Sequence, residues 1–301
     1  MAKLKSGTRV YGDFTVDSRL DLKDFTTIPT TPASDTLTLF AFDSAGKSMP
    51  AFIGSDGVDN TFQATIARNK VGFWSWAGNT TTVTDASWGL PAPSTSGNAS
   101  TRNVATTRLF TSMRRIGYTT GTTTGTTAGV RSGVAQFWRG NAATLGGFYF
   151  IARFGFSNTI PVTAVRAFVG LSAVTGTPTN AEPNSSTYNN SVGVCKLSTS
   201  NNLHIMTRDG TAATTIDLGA SFPANTIDTD MYQVILYSPP NGSSIGYRVT
   251  KLNTETSTSG TLTTNLPVNT TLLGIQEWIN NNSSGSSYGI DLVSTYIETD
   301  Y

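Results

Sequence analysis

Few side chains in this chain could do chemistry, and their types exclude more than they permit. The 301 residues hold one histidine, His204, and one cysteine, Cys195. A nucleophile–base pair or a metal site built on imidazole and thiolate therefore lacks its parts. Cys195 lies in the apolar run Val-Gly-Val-Cys-Lys-Leu, where a small buried side chain is expected, and one cysteine closes no disulfide within the chain. His204, in Leu-His-Ile-Met, reads as a strand residue facing a neighbour. No Cys/His spacing suits zinc, and no Gly-x-x-x-x-Gly-Lys-Ser/Thr loop suits a nucleotide phosphate.

Carboxylates are the remaining reagents. A glycan-cleaving enzyme needs two of them about 5 to 9.5 Å apart across the sugar bond. From residue 148 onward the acids are Glu182, Asp209, Asp217, Asp228, Asp230, Glu255, Glu277, Asp291, Glu298 and Asp300. They form no Glu-x-Asp-x-x-Glu strand motif, so no catalytic residue is predicted and the chain is expected not to be an enzyme. Asp228-Thr229-Asp230 alternates oxygen ligands as a calcium loop does, and also reads as a polar loop ahead of a strand at Tyr232. No metal and no cofactor is expected.

Binding makes different demands. A sugar-binding surface needs an exposed aromatic platform among amides and hydroxyls. Trp278, followed by Asn280, Asn281 and a run of Asn, Ser and Gly, has that local chemistry and is the predicted ligand contact together with those two asparagines. Trp74, Trp76, Trp88 and Trp138 are alternatives. All five are also candidates for the core, since aromatics in a strand-rich chain are more often buried.

The elements that must position these residues are strands. Gly-Phe-Tyr-Phe-Ile-Ala-Arg-Phe-Gly-Phe-Ser (147–157), Arg-Ala-Phe-Val-Gly-Leu (166–171) and Tyr-Gln-Val-Ile-Leu-Tyr (232–237) are aromatic and β-branched runs bounded by turn residues. Turns are predicted at Asp209-Gly210, over 239–243 and at Thr258-Ser259-Gly260. The last strand covers 289–301. Such regular short strands favour an antiparallel two-sheet sandwich of jelly-roll or concanavalin-like type over 129–301. Leu109, Met113 and Ile116, at helical spacing, predict one short helix within 105–116. The Thr/Gly tract over 119–127 is too polar to pack and reads as a loop or hinge.

Ahead of these lies a mixed region, 37–128, of hairpins and irregular linker. Its hairpin runs over 37–53, with a turn at Asp43-Ser44-Ala45-Gly46-Lys47 and another at Ser55-Asp56-Gly57. A lone hairpin of this size is marginal in water, so copies of the chain are expected to cover one another's apolar faces. Residues 1–36 alternate apolar and charged positions before Pro29-Thr30-Thr31-Pro32, and read as an extended arm packing on a neighbour.

Charge is scarce at 13%, threonine accounts for about one residue in six, and the net charge is only +1. Its distribution is uneven. Residues 1–64 carry six basic and eight acidic side chains, 65–147 eight and one, and 148–301 six and ten. The basic middle either meets an acidic surface or holds loops together through arginines such as Arg102, Arg108, Arg114 and Arg115. No apolar run approaches the ~20 residues of a membrane span, and no secretory signal is visible at the start.

Several stretches resemble tail-fibre and other appendage proteins of tailed bacteriophages: 71–91 around Phe73-Trp74 and Trp88-Gly89-Leu90-Pro91, 105–118, 146–156, the Phe-Asp-Ser-Ala-Gly-Lys turn at 42–47, and the closing 292–301. The resemblance implies a virion component, made in the host cytoplasm and released by lysis. It further implies a homotrimeric head or tail fibre, anchored to other virion proteins through residues 1–36, with a C-terminal sandwich adhering to a host-surface glycan. A purely structural capsid or tail decoration is the second expectation, and neither nucleic acid nor membrane insertion is expected. No heptads and no repeating period are present, so a long shaft is not predicted.

Overall fold

The computed structural model describes residues 15, 17–55, 59–61, 69–76, 87–142, 145–159 and 164–300. The chain divides into two compact units, one made of residues 1–43 and 47–62, the other of 44–46 and 63–301. The alternating start over 8–14 and the turn at Asp56-Gly57 fall outside the described residues.

In the first unit, β1 (Asp24–Phe25), β2 (Leu37–Ser44), β3 (Lys47–Gly54) and β4 (Asp59–Thr61) form one sheet in that order, with β1 parallel to β2. The predicted hairpin forms, and it reverses at Ala45 and Gly46, whose φ values are 59° and 89°. Two consecutive positive φ angles give the turn whose twist matches paired strands, and glycine adopts it without a Cβ clash. Phe40, Ala51 and Ile53 make the core cluster, with Phe42 packed on it. Phe25 meets Phe40 edge-on at 6.4 Å. The arm over 17–36 contributes only β1 to regular structure.

The second unit is a mainly β, antiparallel sandwich. Its first strands are β5 (Asn69–Ser75), β6 (Ser87–Trp88), β7 (Ser94–Ser96), β8 (Asn98–Arg102) and β9 (Arg115–Thr119). They are followed by β10 (Thr127–Arg131), β11 (Gly146–Ser157), β12 (Arg166–Ser172), β13 (Ser191–Lys196), β14 (Leu203–Arg208) and β15 (Ala213–Asp217). The chain closes through β16 (Met231–Ser238), β17 (Ile245–Lys251), β18 (Thr256–Leu262), β19 (Gly274–Asn280) and β20 (Gly289–Asp300). One sheet runs β15-β14-β13-β12-β19-β10-β7; the other runs β18-β17-β16-β11-β20-β5-β6, with β9 beside β20 and β8 beside β9.

Period-two alternation explains the interior. Phe148, Phe150, Phe154 and Phe156 of β11, with Tyr232, Val234 and Leu236 of β16, turn inward from the second sheet. Val169 and Leu171, Val192 and Val194, and Ile275 and Ile279 meet them from the first. The first sheet also buries its other face. There Phe168, Cys195, Met206 and Trp278 form a second core with Tyr188 from the long β12–β13 connection. Strands such as Ser-Val-Gly-Val-Cys-Lys are therefore buried at every position.

Three expectations are corrected. The sandwich begins near residue 63, well before 129, because β5 pairs with β20 and β7 with β10. The short helix expected within 105–116 is present as a single turn, α1 (Leu109–Ser112), after which Met113 is extended and Arg115 opens β9. Of its two readings, loop and hinge, the Thr/Gly tract takes the first: it links β9 to β10, and the Asn280 and Asn281 side chains hold its carbonyls. The turn predicted at 258–260 lies inside β18, and the chain reverses near Glu255, at φ 55°. Gly260 stands opposite Tyr247, whose hydroxyl oxygen would sit 2.8 Å and ring carbons 2.9 Å from an added Cβ, so this glycine serves close packing.

Candidate functional site

The predicted ligand contacts are buried. Trp278 is 1% exposed, with Tyr188 5.3 Å and Phe168 6.2 Å away between ring centroids, so it offers no platform to a sugar. The Asn280 amide donates to the Gly125 carbonyl (3.1 Å) and to Thr127 Oγ1 (2.8 Å). The Asn281 amide donates to the carbonyls of Gly121 (3.0 Å) and Thr123 (2.8 Å). These asparagines hold the Thr/Gly tract in place, because a buried loop carbonyl needs a donor and no strand supplies one. Their binding chemistry is directed inward.

The charged groups that sequence reasoning weighed are likewise engaged within the sandwich. Asp291, on β20, accepts from Arg102 Nε (3.1 Å), Arg115 Nε (2.9 Å) and Ser157 Oγ (2.5 Å), and the Arg115 guanidinium lies 4.9 Å from the Phe110 ring centroid. Arg108 donates to Thr229 Oγ1 and Arg139 to the Pro267 carbonyl. Much of the basic middle thus ties the sandwich together. The fully buried Lys196 ammonium donates to the carbonyls of Val165 (2.9 Å), Ser200 (3.0 Å) and Leu197 (3.3 Å), and burial pulls its pKa down to about 8. Arg166 and the Ser198 hydroxyl both donate to Glu182.

Glu277 faces the interlayer core between Val130 and Val169, its cross-strand neighbours. Burial pushes its carboxyl up to about 7, against the pull of the Thr295 hydroxyl that donates to it. Tyr118, whose hydroxyl has no hydrogen-bond partner among the described residues, is pushed up to about 12 by burial and then by the Glu277 charge. Sealed at 1% exposure, Glu277 has no route to a substrate.

In the loop tested for calcium, Asp230 accepts from Thr226 Oγ1 (2.6 Å) and Asn253 Nδ2 (2.9 Å). Among the described residues no group of three His, Cys, Asp or Glu side chains could hold a metal. His204 is a β14 residue with Nδ1 3.1 Å from the Asn202 carbonyl, and the Cys195 thiol is pushed up by burial. No helix among the described residues is long and apolar enough to cross a membrane.

Surface chemistry collects on the outer face of the second sheet. Register places Trp88 opposite Phe73, Phe73 opposite Tyr296, and Tyr296 opposite Ile151, one residue from each of four adjacent strands. Directly opposite residues share a face, and that face is the outer one because Trp74, Phe150 and Ala152 beside them point into the core. Trp88 is 53% exposed and the other three are half-buried. Two residues along the strands lies a second row, Ser75, Ser294, Arg153 and Gln233, in which Arg153 Nε donates to Gln233 Oε1 at 2.8 Å. On the other side of the aromatic row, Glu298 is buried and accepts from the Tyr296 hydroxyl (2.6 Å), while Tyr149 lies 2.7 Å from Ser44 Oγ. An apolar row beside a row of hydroxyls, an amide and a guanidinium is the most ligand-like surface among the described residues.

Trp88 was among the sequence candidates; Phe73, Tyr296, Ile151 and Arg153 were not. Alternation along 147–157 carries the missing signal, since packing Phe148, Phe150 and Phe154 inward sends Ile151 and Arg153 outward.

No family model and no curated protein matches the chain. Among solved structures, arcelin-5, a lectin-like defense protein from Phaseolus vulgaris, gives a TM-score of 0.50 at 9% identity, over 78% of this chain and 99% of its own. Peanut lectin with a nine-residue peptide gives 0.48 at 13% identity, over 77% and 97%. A Shewanella oneidensis MR-1 protein of unknown function gives 0.49 at 11% identity, over 79% and 90%. At such identities the likeness concerns the fold alone, and the fold is a lectin-like β-sandwich.

Proposed function

We propose that this chain is a non-enzymatic adhesin: a short virion appendage of a tailed bacteriophage that self-associates as a trimer through its first unit and presents the sandwich to a host-surface glycan. The observation that carries this reading is the apolar surface of the first unit. Leu20, Leu22, Phe25, Ile28, Leu37 and Leu39 are each 43 to 62% exposed within a span of twenty residues, around a core cluster of three. Such a surface supports a protein–protein contact here. The lectin-like fold and the inward engagement of Glu277, Asp291 and Asp230 support binding over catalysis.

Light scattering of the purified full chain is expected to give the mass of three copies, and a stable monomer would overturn the trimer. A glycan array is expected to return specific ligands. Shortened polysaccharide after incubation with the protein would overturn the non-enzymatic reading. The same apolar surface also suits a second reading, a decoration or adaptor that seats on another virion protein; an empty array together with incorporation into particles selects it.

A further inference from the structure

We infer that the outer face of the β6–β5–β20–β11 sheet is the glycan site, and that its ligand is an acidic oligosaccharide lying along the row Trp88, Phe73, Tyr296 and Ile151; this rests on the adhesin reading above. The row crosses four strands, about 15 Å at the usual strand spacing, a length suited to several linked sugars rather than one ring. Sugars are amphipathic: their C–H faces stack on aromatic surfaces and their hydroxyls seek hydrogen bonds. Both requirements are met side by side, because the aromatic row adjoins Ser294, Arg153 and Gln233 in register. Trp88, the most exposed of the tryptophans described, stands at the sheet edge where a chain end can enter.

Charge selects the acidic class. Arg153 is exposed, its one hydrogen-bond partner among the described residues is the neutral Gln233, and no described carboxylate pairs with it. Glu298, an acid on the same face, is buried and hydrogen-bonded by Tyr296, while Arg153 stands exposed beside the row and the part-exposed Arg248 lies two strands further along it, opposite Ile235. A guanidinium with donors to spare matches a sugar carboxylate or sulfate in a fork geometry.

The test is calorimetric titration of the full chain with polygalacturonate and with neutral dextran, repeated for Trp88→Ala and Arg153→Gln. Both positions are exposed, so unchanged thermal unfolding is expected; Trp88→Phe and Arg153→Lys serve as second variants should either fail to fold. The expected result is binding of polygalacturonate that weakens about tenfold in each variant and falls with added salt, with dextran bound far more weakly. Equal binding of dextran overturns the acidic assignment. Glycan binding indifferent to both substitutions overturns this site while leaving the adhesin reading standing. An intact protein that binds nothing here or on the glycan array overturns both.

Discussion

In the first unit β2 and β3 supply a core of Phe40, Ala51 and Ile53, and one large apolar side chain after another from Leu20 to Leu39 faces outward. In the sandwich the same alternation of apolar and polar residues closes two layers on each other, and one layer is buried again on its far side by Tyr188 and its connection. Burial of apolar area is worth roughly 25 cal/mol per Å². A sheet that covers both faces therefore stabilises itself, and one that leaves apolar side chains outside keeps that area in reserve for the self-association proposed above. The small unit reads as a contact surface and the large one as a scaffold.

The largest effects should come from attacking the sandwich's second core. Trp278→Ala is expected to lower the stability of the sandwich by about 3–5 kcal/mol, seen as a lower thermal transition. Phe40→Ala should leave that transition where it is, and if it lowers it equally, the contrast between the units fails. Asp291→Ala removes the carboxylate that Arg102 and Arg115 share, leaving the buried Arg115 and the part-buried Arg102 without their anion; urea denaturation should show a loss of about 3–5 kcal/mol, reduced in Asp291→Asn.

A smaller effect is tied to pH. Glu277 titrates near 4.5 when unfolded and at about 7 when folded. Below pH 4.5 both states carry the proton and burial of the carboxyl is not penalised. As pH rises from about 4.5 to about 7, the unfolded chain ionises first and stability falls by about 3 kcal/mol, then levels off. Glu277→Gln should flatten this slope; a parent protein whose stability does not change over that window would show the carboxyl to be less sealed than its burial implies. The smallest effect on the sandwich is expected from Phe25→Ser with Leu39→Ser, under about 0.5 kcal/mol, with a fall in mass by light scattering. An unchanged mass would place self-association elsewhere.

Much of the strand pattern was legible because alternation is local: 147–157, 166–171 and 232–237 announced themselves, as did the 37–53 hairpin. Cys195 and His204 were equally plain, since an isolated residue of either type inside an apolar run has few other roles. Trp278, Asn280 and Asn281 were not. Whether a tryptophan at the end of a strand meets solvent or a second core depends on Tyr188, ninety residues earlier in the chain. Whether two amides face a ligand or a loop depends on a Thr/Gly tract more than 150 residues away.

The amino-acid order by itself determined that this would be a β protein with little reactive chemistry, because period-two patterning and residue inventory are properties of short stretches. Only the tertiary structure decided which aromatics stay outside. Trp88, Phe73, Tyr296 and Ile151 come from three distant parts of the chain, and the register of β6, β5, β20 and β11 aligns them on one face. Register is a non-local quantity: shifting a strand by one residue sends every side chain to the opposite face, and packing of the whole core selects among the alternatives.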